Sequence, residues 1–177
     1  MQNAELSDAR ASSSSSSRSF SFFHAACWIL FLYTLDQLSK WLIVHSIEFN
    51  DGHTVVPGFF ELVHVHNTGA AFGSFHDSNT FFIVLSLVTL GVLAACAWRG
   101  AFQEKWTRIG VSLLTSGVLG NLTDRFVRKH VVDFLSFDLH APFAHPWPSF
   151  NVADSCICVA AAIYVIFSFR ENKGPRL

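Results

Sequence analysis

Residues 80–98 form nineteen consecutive positions without a charged side chain, and this run constrains the fold more than any other feature of the chain. Wound as a helix, it has no polar side to turn toward water. Its length is close to the roughly 20 apolar residues needed to cross a bilayer. Two further stretches read the same way: residues 19–44 contain an apolar core at 25–35, and residues 152–169 carry one charge, Asp154. A fourth, 109–122, is shorter and rich in Gly and Ser. In it Ser112, Ser116 and Gly120 recur every four residues, a small-residue stripe of the kind that lets helices approach closely in lipid, so it is expected as a packed interior helix. At 51% hydrophobic and 14% charged residues, with 19 phenylalanines, the composition is too apolar for a soluble domain of this length. The expected fold class is an integral membrane protein, mainly α, with four transmembrane helices.

The distribution of Lys and Arg sets the expected orientation. Arg10 and Arg18 precede the first span; Arg99, Lys105 and Arg108 separate the second and third; Arg170, Lys173 and Arg176 follow the fourth. The segment 45–79 has no Lys or Arg. Both termini are therefore expected in the cytoplasm, with external segments at about 45–79 and 126–151, although Arg128 and Lys129 in the second run against the trend. Residues 1–18, with six consecutive serines from Ser12, read as a disordered cytoplasmic tail. Residues 19–170 form the membrane domain, and 171–177 a short cytoplasmic C-terminal tail.

Placed on this map, the polar residues gather at one depth. Asp36 and Lys40 are four apart and share a face at the outer end of the first helix. Asn121, Asp124 and Arg125 share a face at the outer end of the third, and Asn151 and Asp154 at the outer start of the fourth. Each has an ordinary structural reading alone: Asp36 with Lys40 as an ion pair, Asp124 with Arg125 as a local charge pair, the asparagines as interhelical hydrogen-bond partners, Asp133 as a loop carboxylate, and Asp154 as a residue favoured by a helix N-terminus. Their convergence on one side of the membrane points instead to a single site near the external interface, since charge placed there is costly.

The external segments have order of their own. Asp51-Gly52 and Pro57-Gly58 are turn signals, and Glu61-Leu62-Val63-His64-Val65-His66-Asn67 alternates as a short strand does, so a small sheet lying on the membrane is expected. The following run, Asn67-Thr68-Gly69-Ala70-Ala71-Phe72-Gly73, is small enough to let a backbone approach a ligand. In the second segment, apolar residues 131–139 enclose Asp133 before Pro142, Pro146 and Pro148 interrupt regular structure. This segment is expected to be an interfacial flap that carries one carboxylate toward another.

Five blocks then resemble one family in order and spacing: Asp36-Gln37-Leu38-Ser39-Lys40; Asn67-Thr68-Gly69-Ala70-Ala71-Phe72; Gly117-Val118-Leu119-Gly120-Asn121-Leu122-Thr123-Asp124-Arg125; Val131-Val132-Asp133-Phe134; and Phe150-Asn151-Val152-Ala153-Asp154. Over roughly residues 25–170 the chain resembles the lipoprotein signal peptidases (signal peptidase II), polytopic aspartic peptidases of the bacterial cytoplasmic membrane. The resemblance implies four transmembrane helices with an external β-cradle and a short external helix acting as a lid. It implies a catalytic dyad of Asp133 and Asp154. Asn67, Gly69, Asn121, Asp124, Arg125 and Asn151 would line or support the site, with Asp36 and Lys40 in the supporting shell. Ser116 stands where the family usually has Gly, and Val118 where it often has Ala; both are small changes on a packing face.

The implied reaction is removal of a prolipoprotein signal peptide before a cysteine that already bears a diacylglyceryl group. Hydrolysis of a peptide bond needs one group to take a proton from water and another to give one. Two close carboxyls cannot both ionise easily, so they would share a proton and titrate as a pair. No cofactor and no metal are expected. The expected partners are prolipoproteins and membrane lipid, with the protein acting as a monomer.

Two readings of other classes compete. Nine histidines, among them His64, His66, His130, His140 and His145, could indicate a metal-binding membrane protein. Intramembrane Asp and Lys could instead mark a transport path, although such sites usually sit at the midplane rather than at one face. Cys27, Cys96, Cys156 and Cys158 fall in or beside helices and read as free packing residues. A net charge of -1 without an external basic patch gives no footing for nucleic acid.

Overall fold

The computed structural model describes residues 2–69, 78–140 and 147–171. Four helices and three strands follow in the order α1 (Gln2–Ser46), β1 (Gly52–Val56), β2 (Phe60–Asn67), α2 (Asn79–Trp98), α3 (Lys105–Val127), β3 (Val131–Phe137) and α4 (Val152–Glu171). Phe23–Ser46, Asn79–Trp98 and Val152–Phe169 are long and apolar enough to cross a membrane. Helix α3, at 23 residues, has the length to cross but carries more polar residues, as its sequence leads one to expect. It is longer at both ends than its apolar stretch because Lys105 and Arg108 extend its start, and Asn121, Asp124 and Arg125 remain helical at its end. Helix α1 also runs further than expected. Its backbone is helical through the serine tract to Gln2, where the sequence reading expects a disordered tail. Ala4, Glu5, Leu6, Ala9 and Arg10 are good helix formers, and extending an existing helix costs far less than nucleating one.

The helices are built inside out. Trp28, Phe31, Phe81, Val88, Val92 and Ile166 lie exposed around the outside, and α2 buries none of its residues. Among the described residues polar and charged side chains make up about half of the buried set, including Asp36, Lys40, Ser112, Ser116, Asn121, Asp124, Arg125, Asp133 and Asn151. In water this arrangement would expose a large apolar surface; in a bilayer the apolar side is solvated by lipid, and polar groups must find partners within the protein.

Helix α3 lies centrally, packing against α1, α2 and α4. Its small residues make this possible. A Cβ on Gly117 would collide with the backbone carbonyl of Ala153 and come 2.8 Å from Ile157, and one on Gly120 would come 2.5 Å from the Asp36 carboxylate. Ser112 and Ser116 turn their hydroxyls back to the carbonyls of Arg108 and Leu113, so neither hydroxyl is left unpaired on the packing face.

The sheet has the order β1-β2-β3, antiparallel throughout. β1 and β2 form the expected hairpin, turned at Pro57-Gly58 with Gly58 at φ +70°. The third strand corrects the sequence reading: residues 131–137, expected within a flap, pair with β2 in register Val65↔Asp133 and Asn67↔Val131. Val132 and Phe134 pack with Ile43 of α1 in a small apolar cluster. A bridge between Leu135 and Phe150 ties the chain entering α4 to this strand. Residues 70–73 of the small-residue run, Pro142, His145 and Pro146 lie outside the described residues, and among the described residues no separate short helix corresponds to the implied lid.

Gly117→Ala is expected to lower stability by about 1–3 kcal/mol, the usual cost of overpacking. Gly91→Ala in exposed α2 meets no atom within 4 Å and should be neutral or stabilising by up to about 1 kcal/mol. Thermal unfolding of the two variants in detergent measures the contrast.

Candidate active site

The site begins from a lysine. Lys40, 0% exposed, places its ammonium 2.9 Å from Asp36 Oδ2, 2.9 Å from Asp124 Oδ2 and 3.1 Å from Asn121 Oδ1. Three N–H donors meet three acceptors, the condition under which a buried cation is tolerable. Each acceptor then reaches a further element. Asp36 Oδ1 accepts the Ala153 N–H at 2.9 Å, fixing the first turn of α4. Asp124 Oδ2 accepts the Val132 N–H at 3.3 Å, fixing the start of β3. Asn121 donates from Nδ2 to Asp154 Oδ1 at 2.7 Å.

Asp154 sits in the first turn of α4. Asn151 caps this helix: its Oδ1 accepts the Asp154 N–H at 2.9 Å, while Asp154 Oδ2 accepts the Asn151 N–H at 3.3 Å. This is the reciprocal geometry of a capping box, with Asn and Asp in place of the usual Ser/Thr and Glu. The Asn151 amide also donates to Asp133 Oδ1 at 2.7 Å and approaches Asn121 Oδ1 and the Val132 carbonyl at 3.3 Å. The Leu135–Phe150 bridge brings it within reach.

Asp133 is 2% exposed. From across the sheet Asn67 donates to its Oδ2 at 2.9 Å. Asn67 lies two residues beyond Val65, the partner of Asp133 in register, and such diagonal neighbours share a face. Burial first, and then the charge of Asp154, push the Asp133 carboxyl up to about 7, against the hydrogen bonds from Asn67 and Asn151 that favour its ionised form.

The remaining expected residues join the same network. The Gly69 N–H donates to Asn67 Oδ1 at 3.0 Å, which fixes the amide orientation. Arg125 does not pair with Asp124. It reaches the carbonyls of Gly69 and Asn121 at 3.4 Å and lies over the Phe82 ring, 4.8 Å from its centroid. Among the described residues its buried Nε has no partner. All ten expected residues are thus linked by contact: Asp36, Lys40, Asn67, Gly69, Asn121, Asp124, Arg125, Asp133, Asn151 and Asp154.

Two participants are not foreseen. Gln37 Nε2 lies 3.1 Å from Asp36 Oδ2, 3.2 Å from the Gly120 carbonyl and 3.3 Å from Asp124 Oδ1. Arg128 forms an ion pair with Asp124 Oδ1; its i, i+4 spacing was a readable signal. This pairing gives Arg128 a structural reason to stand against the charge bias of the flanking segments.

A cavity of about 790 Å³ opens on this network between α2, α3 and α4, lined by Asn67, Asn121, Arg125 and Asp154 at one end and by Leu85, Leu114 and Ile157 along its length. Three of the histidines meet ring to ring. His66 lies on His130 at 3.5 Å between centroids and 5.1 Å from His64. Burial, with His130 and His64 alongside, pushes His66 down to about 4, so its ring is uncharged at neutral pH. Among the described residues no group of three or more His, Cys, Asp or Glu is arranged to hold a metal. Cys156 is buried and Cys158 exposed, and all four cysteines are free.

Comparison with known proteins gives a consistent result. Residues 28–170 match the family model described as signal peptidase (SPase) II. A lipoprotein signal peptidase of Aeromonas hydrophila subsp. hydrophila is 40% identical over 151 residues, covering 82% of this chain and 89% of the relative. One from Neisseria meningitidis serogroup C is 37% identical over 155 residues, covering 84% and 92%. A solved bacterial membrane enzyme superposes with a TM-score of 0.79 at 26% identity, covering 86% of this chain and 92% of that one. A second does so with a TM-score of 0.71 at 28% identity, covering 81% and 90%.

Lys40→Met leaves Asp36 and Asp124 buried without their shared counter-charge, a loss of about 3–5 kcal/mol. Combining it with Asp36→Asn should recover part of that loss, because one of the stranded charges is removed. Unfolding of the two single variants and the double variant measures the coupling.

Proposed function

The chain belongs to the signal peptidase II family, and on that footing we propose that it removes signal peptides from diacylglyceryl-modified prolipoproteins, cutting before the lipid-bearing cysteine as an aspartic endopeptidase with Asp133 and Asp154 as its reacting groups. The observation that carries this reading is the asparagine bridge. Asn151 binds Asp133, Asn121 binds Asp154, and the two asparagines meet each other, so both carboxyls are presented from one rigid, buried scaffold. A single copy of the chain supplies both.

The surroundings favour one proton for the pair. Asp36 and Asp124 are balanced by Lys40 and Arg128, which leaves Arg125 as the buried cation beside Asp133 and Asp154. One ionised carboxyl balances it, and two would not. Asp154, at a helix N-terminus where negative charge is favoured, is the ionised member. Asp133, raised to about 7 by burial and by the neighbouring charge, keeps the proton.

Asp154 then takes a proton from water as the water oxygen attacks the scissile carbonyl carbon, and Asp133 gives its proton to the carbonyl oxygen. When the tetrahedral adduct collapses, the C–N bond breaks. The departing amine nitrogen takes the proton from Asp154, and a hydroxyl of the adduct returns one to Asp133, leaving a carboxyl product, an amine product and the starting enzyme. Arg125, with weak present bonds and an Nε that has no partner among the described residues, is placed to bind a substrate carbonyl. The apolar length of the cavity suits a lipid-embedded substrate, and bilayer depth brings the scissile bond to the carboxyls.

In the orientation that the Lys and Arg bias favours, the site lies near the external face of the bacterial inner membrane with both termini in the cytoplasm. Transport is the weaker reading, since the charges close on one another at one end of the helices instead of lining a path.

Purified protein should cleave a diacylglyceryl-modified prolipoprotein and leave its unlipidated form intact, with chelator present. Asp133→Asn and Asp154→Asn should each lower kcat by at least about 10²–10⁴-fold with the protein still folded; appreciable turnover by either variant would sink the dyad. The reaction needs the proton on Asp133, so the rate should fall as pH rises through the upper ionisation of the pair, near 7. A rate still climbing well above that pH would contradict the assignment.

A further inference from the structure

At the end of the helices opposite Asp154 is a second cavity, of about 640 Å³, which the peptidase reading does not use. It exists because α1 and α2, successive helices joined through the β1–β2 hairpin, both pack on α3 but, among the described residues, not on each other. The cleft between them has α3 as its floor. Ala25 and Ala26 on α1 and Ala94 and Ala97 on α2 hold it open, and Leu93 and Val111 give it an apolar interior. Its volume falls within the range of about 300–1,000 Å³ typical of small-molecule sites.

The rim is cationic. Arg99 and Arg108 both line the cleft, together with Gln103. Among the described residues neither arginine has a carboxylate within ion-pair distance. Glu104, four residues before Arg108, makes no ion pair there. Arg99 caps the C-terminus of α2, and neighbouring Trp98 is 94% exposed, the placement of an aromatic side chain at a membrane interface. Set in a bilayer, arginines beside such a tryptophan stand near headgroup depth, next to the apolar slot they line. Basic pockets between transmembrane helices on the cytoplasmic side suit anionic headgroups, and guanidinium matches a phosphate in both shape and charge.

We propose that the cleft between α1 and α2 holds one anionic diacyl phospholipid, a phosphatidylglycerol, with its phosphate on Arg99 and Arg108 and an acyl chain lying over Leu93 and Val111. The slot has room for one chain, and two arginines on a shared rim suit one phosphodiester. A zwitterionic lipid presents the same phosphate with an ammonium beside it, which weakens its attraction to the arginines. That the bound lipid comes from the cytoplasmic leaflet rests on the orientation proposed above; the binding itself does not.

The full chain, purified in mild detergent, is incubated with equal amounts of phosphatidylglycerol and phosphatidylethanolamine. Retained lipid is read by native mass spectrometry and unfolding temperature is measured in parallel. The expected result is selective retention of one phosphatidylglycerol and a higher unfolding temperature with it. Both should be lost in the Arg99→Gln/Arg108→Gln double variant, and also in Ala94→Phe, which fills the slot without changing charge. Equal retention of the two lipids, or unaltered phosphatidylglycerol retention in either variant, overturns the proposal. Detergent solution has no leaflets and the measurement uses no peptide substrate, so the result is independent of the peptidase and orientation readings. Cleavage by the double variant should remain at the parental rate in detergent.

Discussion

The Lys40 ammonium is the point from which the polar interior is built. It is wholly buried, and its three donors are used on α1 and twice on α3. The acceptors pass the constraint on: Asp36 holds the first turn of α4, Asp124 holds the first residues of β3, and Asn121 holds Asp154. Removing two carboxylates and an ammonium from water is expensive, and their mutual attraction repays that cost only when the geometry is good. What the cluster gives the protein is position. Four separate elements are registered against one cation, and the two carboxyls proposed to react hang from elements placed in this way.

The bilayer makes such an interior possible. Apolar side chains on the outside cost nothing in lipid, and polar groups that would be solvated in water must pair with one another. Small residues then set how near the elements can come. Gly120 leaves room for the Asp36 carboxylate, and Gly117 for the Ala153 carbonyl; with larger side chains Asp36 would not reach the Ala153 N–H. Where α1 and α2 have no such close contact, a cleft remains, and its charged rim lies far from the polar core.

The helical architecture was legible from the sequence because uninterrupted apolar length is a strong signal and needs no tertiary information. The hairpin was legible from Pro57-Gly58 and the alternation of residues 61–67. The third strand was missed: Val131-Val132-Asp133-Phe134-Leu135 does not alternate, since its start is buried on both sides between α1, α3 and the rest of the sheet. For the same reason residues 131–137, read as part of a flap, are part of the sheet. The ten site residues were named from motif order and from the depth at which the helices place them. Their pairing was not readable. Asp124 and Arg125 are adjacent, which suggested a pair, yet adjacent residues on a helix point about 100° apart, and Asp124 turns to Lys40 and Arg128 instead. Gln37 lay within a recognised block and was passed over because an amide beside an aspartate carries no signal without its partners from α3.

The central claim is that this scaffold holds Asp133 and Asp154 with one proton between them, resident on Asp133. The most direct test is infrared spectroscopy of the purified protein at pH 6, comparing the protonated-carboxyl band of the parent with that of Asp133→Asn. The account predicts a band in the parent that disappears in the variant. A parent spectrum without that band, or a band unchanged by the substitution, would contradict it.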